Sequence, residues 1–368
     1  MSARSRSSAV RGGPQGGWLS RLLARELAAL DPGYFALVMA TGIISNAMFF
    51  TGHHDVSNVL FALNTVFLVW LTIATLWRAL RYHAALWRDL VNPRRVFAFF
   101  TIVAALDVFG GGLCLRGQGG IAAFIWLAAF VLWFVLLYFS FGVLAFLNRE
   151  GGANVIHGGW LIAIVGTESL VILGSQISPW LGTHAAAMSV LTHMLWGVGL
   201  GLYGIFITLF AHRMFFFRVE PSDLSPLLWV VMGAGAIATN AGSVLILTET
   251  TLPFLQSVRP FIDGATLLMW AWSAWLIPLL VMLDIWKYAV RREPLVYTPM
   301  LWSFVFPLGM FALASGRLSL ASDFMPLDAV AYAMVWIALL AWFAAAIGLA
   351  GALWRGVSAA RFGAQSTH

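Results

Sequence analysis

The chain is poor in charge. Asp, Glu, Lys and Arg are 10% of its 368 residues, where a soluble domain carries about 25%. With 61% hydrophobic residues and a mean hydropathy of +0.87, it has more apolar surface than a core of its own can hide. That excludes an ordinary soluble protein. Its one cysteine, Cys114, excludes an internal disulfide and a cysteine-built metal site. No apolar stretch follows the Arg- and Ser-rich start within the first 30 residues, so no cleaved signal peptide is expected. Short alternating segments are also missing, which argues against a β-barrel.

What is there is a series of long apolar runs, each able to cross a bilayer as a helix of about 20 residues. The runs predict spans at 33–50, 57–77, 96–113, 120–147, 157–175, 185–210, 226–248, 259–286, 299–316 and 326–354. They form a repeat: a shorter span dotted with Gly, Thr, Ser, Asn or an acid, then a longer, greasier one. The shorter members begin near Gly33, Val96, His157, Pro226 and Pro299, a period of roughly 60–75 residues. The expected fold is all-α and integral to the membrane, with ten transmembrane helices in five hairpins. Five inner helices would surround a path and five outer ones would face lipid.

Residues 1–30 are expected to be a cytoplasmic segment. Its stretch 17–30 sets Trp18, Leu22, Leu23 and Leu30 against Arg21, Arg25 and Glu26, as an interfacial helix does. The transmembrane domain follows at 31–354, then a cytoplasmic tail at 355–368. With both ends in the cytoplasm, all but three of the 21 Lys and Arg fall inside, as the positive-inside rule requires. The net charge of +6 is thereby accounted for without a nucleic-acid partner. A bacterial-type inner membrane is the expected location.

Candidate path residues lie in the odd spans: Thr41, Gly42 and Asn46, then Asp107, then Gly166 and Glu168, then Gly235 and Asn240, and finally Pro307. Asp107 and Glu168 are the sharpest. An acid near the bilayer centre costs several kcal/mol unless hydrated or paired, so it is a functional candidate by default. Each reads as a protonatable group in the path or as a protonated acid bonded to a neighbouring helix. Phe306, also near mid-span, reads as core packing or as a ring that blocks a narrow path. Arg116, Arg259 and Arg317 are the outside cations. They suggest either a positive mouth that gathers anions or ordinary snorkelling. Gly233, Gly235 and Ala238 match a dinucleotide fingerprint, but no strand precedes them and they lie inside an apolar span. No cofactor or metal is expected.

A run of segments in order resembles one family. Gly33 to Ser45 resembles the first helix of the tellurite-resistance/dicarboxylate transporter family, and Trp196 to Tyr203 the sixth. Met232 to Thr239, with Ala241 to Ser243, is similar to the seventh, and Trp302 to Gly309 to the ninth. That family includes the fungal malic-acid permease and sulfite pump and the slow anion channel of plant guard cells. The likeness covers about residues 31–354.

The resemblance implies five hairpins set quasi-symmetrically around a central pore. It implies a pore plug at Phe306 and a homotrimer with one pore per protomer. The substrate it implies is a small inorganic or organic anion: a C4-dicarboxylate such as malate, sulfite or a halide. The chain departs from the family's channel members in two ways. Only Pro307 clearly kinks an inner helix, and Asp107 and Glu168 would repel a passively permeating anion. Protonated, they would instead link anion movement to protons, which tilts the resemblance toward the permease and pump members. An intramembrane enzyme using these acids as a base is the competing reading. Such enzymes place acids and His at the interface, and no long loops are present here. A non-transporting scaffold would leave the polar inner helices unexplained.

Overall fold

The computed structural model describes residues 24–147, 157–217, 220 and 224–365, with side chains to 359. These residues form helices and no strand. Ten helices are long and apolar enough to cross a membrane. They are α1 (Pro32–Phe50), α2 (His54–Arg81), α3 (Val96–Cys114), α4 (Gly119–Leu147), α5 (Gly158–Trp180), α6 (Gly182–Phe216), α7 (Pro226–Leu247), α8 (Arg259–Val290), α9 (Pro299–Ser322) and α10 (Pro326–Ala359). The spans expected from the sequence are all found. Several run on: α2 reaches Arg81, α5 Trp180, α6 Phe216, α8 Val290 and α9 Ser322, past the expected ends at 77, 175, 210, 286 and 316, and helix continues past α10 to Gln365.

The two classes of helix differ in what surrounds them. In the odd-numbered helices 78–94% of the most apolar window is buried, and in the even-numbered ones 22–33%. The odd helices pack on one another in a closed ring, α1–α3–α5–α7–α9–α1. Each even helix packs outside this ring, against its own hairpin partner and the next inner helix. Its burial follows helical spacing. In α2 the buried set is Ser57, Leu60, Asn64, Leu68, Leu71, Ala74 and Arg78. Val59, Val66, Trp70 and Ile73 on the other face are exposed, where lipid tails would lie.

Tryptophans fix the outer helices to the ring. Trp126 and Trp133 of α4 donate their indole N–H to Leu170 O and Thr167 Oγ1 of α5 at 2.9 and 2.8 Å. Trp196 of α6 reaches Ala238 O of α7 at 3.2 Å, and Trp270 of α8 reaches Ser315 Oγ of α9 at 2.9 Å. Trp342 of α10 reaches Thr41 Oγ1 of α1 at 2.9 Å. An indole N–H inside a bilayer has no water to bond, so each finds an acceptor on the neighbouring helix.

All five inner helices open with a turn of 3-10 helix: Pro32–Phe35, Val96–Phe99, Gly158–Leu161, Pro226–Trp229 and Pro299–Leu301. Proline begins three of them, where its missing N–H costs nothing. Because an outer helix returns the chain between each pair, all five inner helices run in one direction. Their N-termini therefore gather at one end of the ring.

At that end a short helix, His83–Leu90, is pinned to α2. Asp89 accepts from Arg78 at 2.6 Å and from Arg95 at 2.8 Å. Arg78 also donates to Ala28 O at 3.4 Å, next to the helical turn 24–28. Trp18, Arg21, Leu22 and Leu23 of the expected interfacial helix lie outside the described residues.

Candidate functional site: the axis of the inner ring

Two cavities lie along the ring axis. The first, of about 540 Å³, is a vestibule at the N-terminal ends of the inner helices. It is lined by Gly33, Thr101, Gly159, Leu228 and Ser303, one from each inner helix, with Arg94, Arg95, His157 and Arg213 around it. Helix N-termini carry partial positive charge, so five of them, with three arginines against the carboxylate of Asp31, favour anions. His157 precedes α5 and caps it: its Nδ1 accepts from Gly159 N at 3.0 Å, and its Nε2 lies 2.9 Å from Arg94 O. Burial first, and then the Arg94 charge, pull its pKa below the ordinary histidine value.

The second cavity lies deeper. It is narrow, about 20 Å³, and again every inner helix contributes: Ile43 and Asn46, Asp107 and Gly111, Ser169 and Gln176, Ile237 and Asn240, Met310 and Arg317. Such a volume holds little more than one water. Asp107 Oδ2 lies 2.7 Å from Ser169 Oγ, and Oδ1 has no partner. Asn46 Nδ2 donates to Val108 O at 3.0 Å. Arg317 donates to Asn240 Oδ1 at 3.0 Å, and Asn240 Nδ2 rests 3.3 Å from Met310 Sδ.

Along α9, Phe306 falls between the residues that line the two cavities. On α9, Met300 and Ser303 line the vestibule, while Met310, Leu313 and Arg317 line the deeper cavity. Phe306 is three residues after Ser303 and four before Met310, so it shares their face. Its side chain is 2% exposed.

Of the candidate path residues, Asn46, Asp107 and Asn240 line the deeper cavity. The others turn toward neighbours. Thr41 donates to Leu37 O and accepts from Trp342. Gly42 packs on Asn64 and Val108, and Gly166 on Phe100. Gly235 meets Ser273 and Tyr203 of the outer layer, and Pro307 meets Gly233. Glu168 is fully buried against Gly199 of α6, with neither carboxylate oxygen partnered. It precedes Ser169, and the 100° step of a helix takes it off the axis.

The three cations expected outside are held in different ways. Arg317 lies within α9, 8% exposed, because that helix runs past 316. Arg116 donates to Gly112 O, Ser57 Oγ and Asn58 Oδ1 and lies 4.0 Å over the Phe61 ring. Burial lowers its pKa from the usual arginine value. Arg259 pairs with Asp263 at 2.9 Å. Gln176 and the interior place of Arg317 were not picked out from sequence. The signal available was helical spacing, since Ser169 and Gln176 lie two turns apart on one face of α5.

Comparison with known proteins agrees with this architecture. The family model SLAC1, voltage-dependent anion channel, matches residues 29–350. An uncharacterized membrane protein of Mycobacterium tuberculosis is 38% identical over 141 residues, 38% of this chain and 71% of the relative. An uncharacterized transporter of Methanocaldococcus jannaschii is 24% identical over 324 residues, 84% of this chain and 90% of the relative. The sulfite efflux pump SSU1 of Arthroderma otae is 23% identical over 324 residues, 79% of this chain and 82% of the relative. With ten apolar helices, a closed inner ring and a family match across nearly its whole length, this integral membrane protein belongs to the voltage-dependent anion channel family.

Proposed function

We propose that this protein moves small anions along the axis enclosed by α1, α3, α5, α7 and α9, with Phe306 as the gate. What supports this reading is that every inner helix helps to line two cavities, and that helical spacing sets Phe306 on the face of α9 that carries the lining residues of both. A ring there blocks the path sterically and excludes water from it. The vestibule cations and helix N-termini favour negative ions at the entrance.

The anions in view are sulfite, malate-like C4-dicarboxylates and halides. The test is flux in proteoliposomes, wild type against Phe306→Ala, with chloride, nitrate, sulfite and malate. Removing the plug should raise flux at least about tenfold, the equivalent of a barrier lowered by about 1.4 kcal/mol. Unchanged flux in folded protein would overturn the gate.

Proton coupling is the second reading, and Ser169 favours it. Its single hydroxyl proton faces two acceptors, Asp107 Oδ2 at 2.7 Å and Gly166 O at 2.9 Å. When Gly166 takes it, a protonated Asp107 completes the chain by donating to Ser169. Both Asp107 and Glu168 are candidates for the coupling, and the cavity position of Asp107 favours it over Glu168. Anion uptake driven by a pH gradient should then be lost in Asp107→Asn and kept in Glu168→Gln. Flux indifferent to the gradient would leave a passive gated channel.

The same reading places the protein in a bacterial-type inner membrane, as a homotrimer with both termini cytoplasmic. Cysteine labelling of the tail from either side tests the orientation, and native mass measurement in detergent tests the trimer.

A further inference from the structure

The outer helices α6 and α8 both pack on α7 rather than on each other. They leave a cleft between them, and toward the end where the inner helices begin it widens into an apolar groove of about 530 Å³. Its walls are Phe210 and Met214 of α6 and Trp272 and Trp286 of α8. Leu224, just before α7, and Leu228 at its start form the floor. Phe210, Met214 and Leu228 line the vestibule as well, so they close the back of the groove and separate it from the ring axis. The open side faces outward, where Phe215 is 76% and Trp275 56% exposed.

Water does not fill an apolar cleft at membrane depth, because nothing there bonds it. Along α8 the lining runs from Trp272 to Trp286, about 21 Å at 1.5 Å per residue. That exceeds one leaflet of a hydrocarbon core of about 30 Å. The groove has the length of an acyl chain, not of a small solute.

The mouth of the groove is basic. Lys287 Nζ donates to Leu224 O at 2.6 Å, which holds the ammonium at the groove's floor and leaves it two further hydrogens. The Arg291 guanidinium lies 5.5 Å from the centre of the Trp286 ring. Both cations are thus anchored on residues that line the groove. Asp284, one turn before Lys287, attracts it, but its Oδ2 accepts the indole N–H of the buried Trp229 at 2.8 Å. Glu293 follows Arg291 and Arg292, so the stretch 284–293 sets three cations against two acids. An acyl chain by itself has no preference for the groove over the bilayer around it, since lipid tails are as apolar as the lining. The headgroup decides. Lys and Arg at a membrane surface attract anionic lipid, and two of them anchored at one groove favour a lipid of net negative charge there.

We propose that the α6–α8 groove binds an anionic phospholipid, with one acyl chain along α8 and the headgroup phosphate on Lys287 and Arg291. The site lies off the ring axis and does not depend on what passes along that axis.

The experiment is native mass spectrometry of the whole protein, released from detergent with equal amounts of phosphatidylglycerol and phosphatidylcholine of the same chains. Phosphatidylglycerol adducts should dominate by on the order of tenfold. Lys287→Gln combined with Arg291→Gln should bring the ratio toward one. Arg291→Gln alone, at an exposed position, should lower it by about threefold, and it decides the matter should the double variant not fold. Ala211→Trp, which fills the groove and leaves both cations in place, should remove bound lipid of either kind. Equal retention of the two lipids by the wild type, or a preference unmoved by Arg291→Gln, would overturn the site. So would a preference that survives Ala211→Trp, since the charges would then act without the groove. Unchanged lipid retention with a lower oligomer mass in Ala211→Trp would make a second copy of the chain the occupant and overturn it too.

Discussion

The Trp342 indole N–H and the Thr41 hydroxyl oxygen, 301 residues apart in sequence, are joined by a hydrogen bond of 2.9 Å. The bond seats the last helix against the first. The other outer-helix tryptophans, at 126, 133, 196 and 270, bind their helix to the next inner one. Trp342 has no next helix and closes the ring.

Trp342→Phe should therefore loosen that closure. Interhelical hydrogen bonds in membranes are worth about 0.6 kcal/mol on average and up to about 1.7. A loss in that range is expected as a lower Tm in detergent. Trp354→Phe, on the exposed side of the same helix, should leave Tm where it was. Equal effects of the two substitutions would contradict an anchoring role for Trp342.

Gly233 is where α7 approaches the proline of α9. A Cβ built there would stand 2.8 Å from Pro307 Cγ and 3.0 Å from its Cβ. Neither the ring nor the helix has room to give, so Gly233→Ala should cost about 1–3 kcal/mol through overpacking. The displacement would fall on the residue beside Phe306, and basal anion flux should change with it. Gly204 is the control, since a Cβ there meets nothing within 4 Å. Gly204→Ala should be neutral or stabilise the helix slightly, by about 0.5–1 kcal/mol. Thermal melts of the two variants check both.

His157 predicts a pH dependence. Its pKa in the folded protein is lowered by burial and by Arg94. Below the ordinary value of about 6.5 the unfolded chain binds a proton that the folded one refuses. The contribution is fully present above about pH 6.5 and is lost as pH falls toward the lowered folded value. Protonation would also put a hydrogen on Nδ1, which now accepts from Gly159 N. His157→Gln should flatten the pH dependence of Tm in the window below about 6.5. A wild-type Tm that does not fall there would contradict the assignment.

The sequence by itself determined the ten spans, their pairing into hairpins and their division into inner and outer helices. Composition and length suffice for that, because a bilayer admits apolar helices of one size and pays no attention to which side they show. It also supplied Asp107 and Asn46, conspicuous by type and depth, while Phe306 was singled out by the resemblance. What each inner residue faces was decided only by the tertiary structure. A helix of a soluble protein shows its inner face by the period of its apolar residues. In α7, 94% of the most apolar window is buried. Outer helix, ring neighbour and axis all touch it, and the period carries no signal. So Gly233 and Gly235, whose fingerprint spacing the apolar context already rules out, received their packing partners Pro307 and Ser273 only from the structure. Glu168 and Ser169 are adjacent in sequence, yet only one reaches the cavity. Arg317 looked like a mouth residue because it follows the apolar run, and the helix carried it inside. Long-range packing, in which each inner helix meets partners from distant parts of the chain, settles these directions.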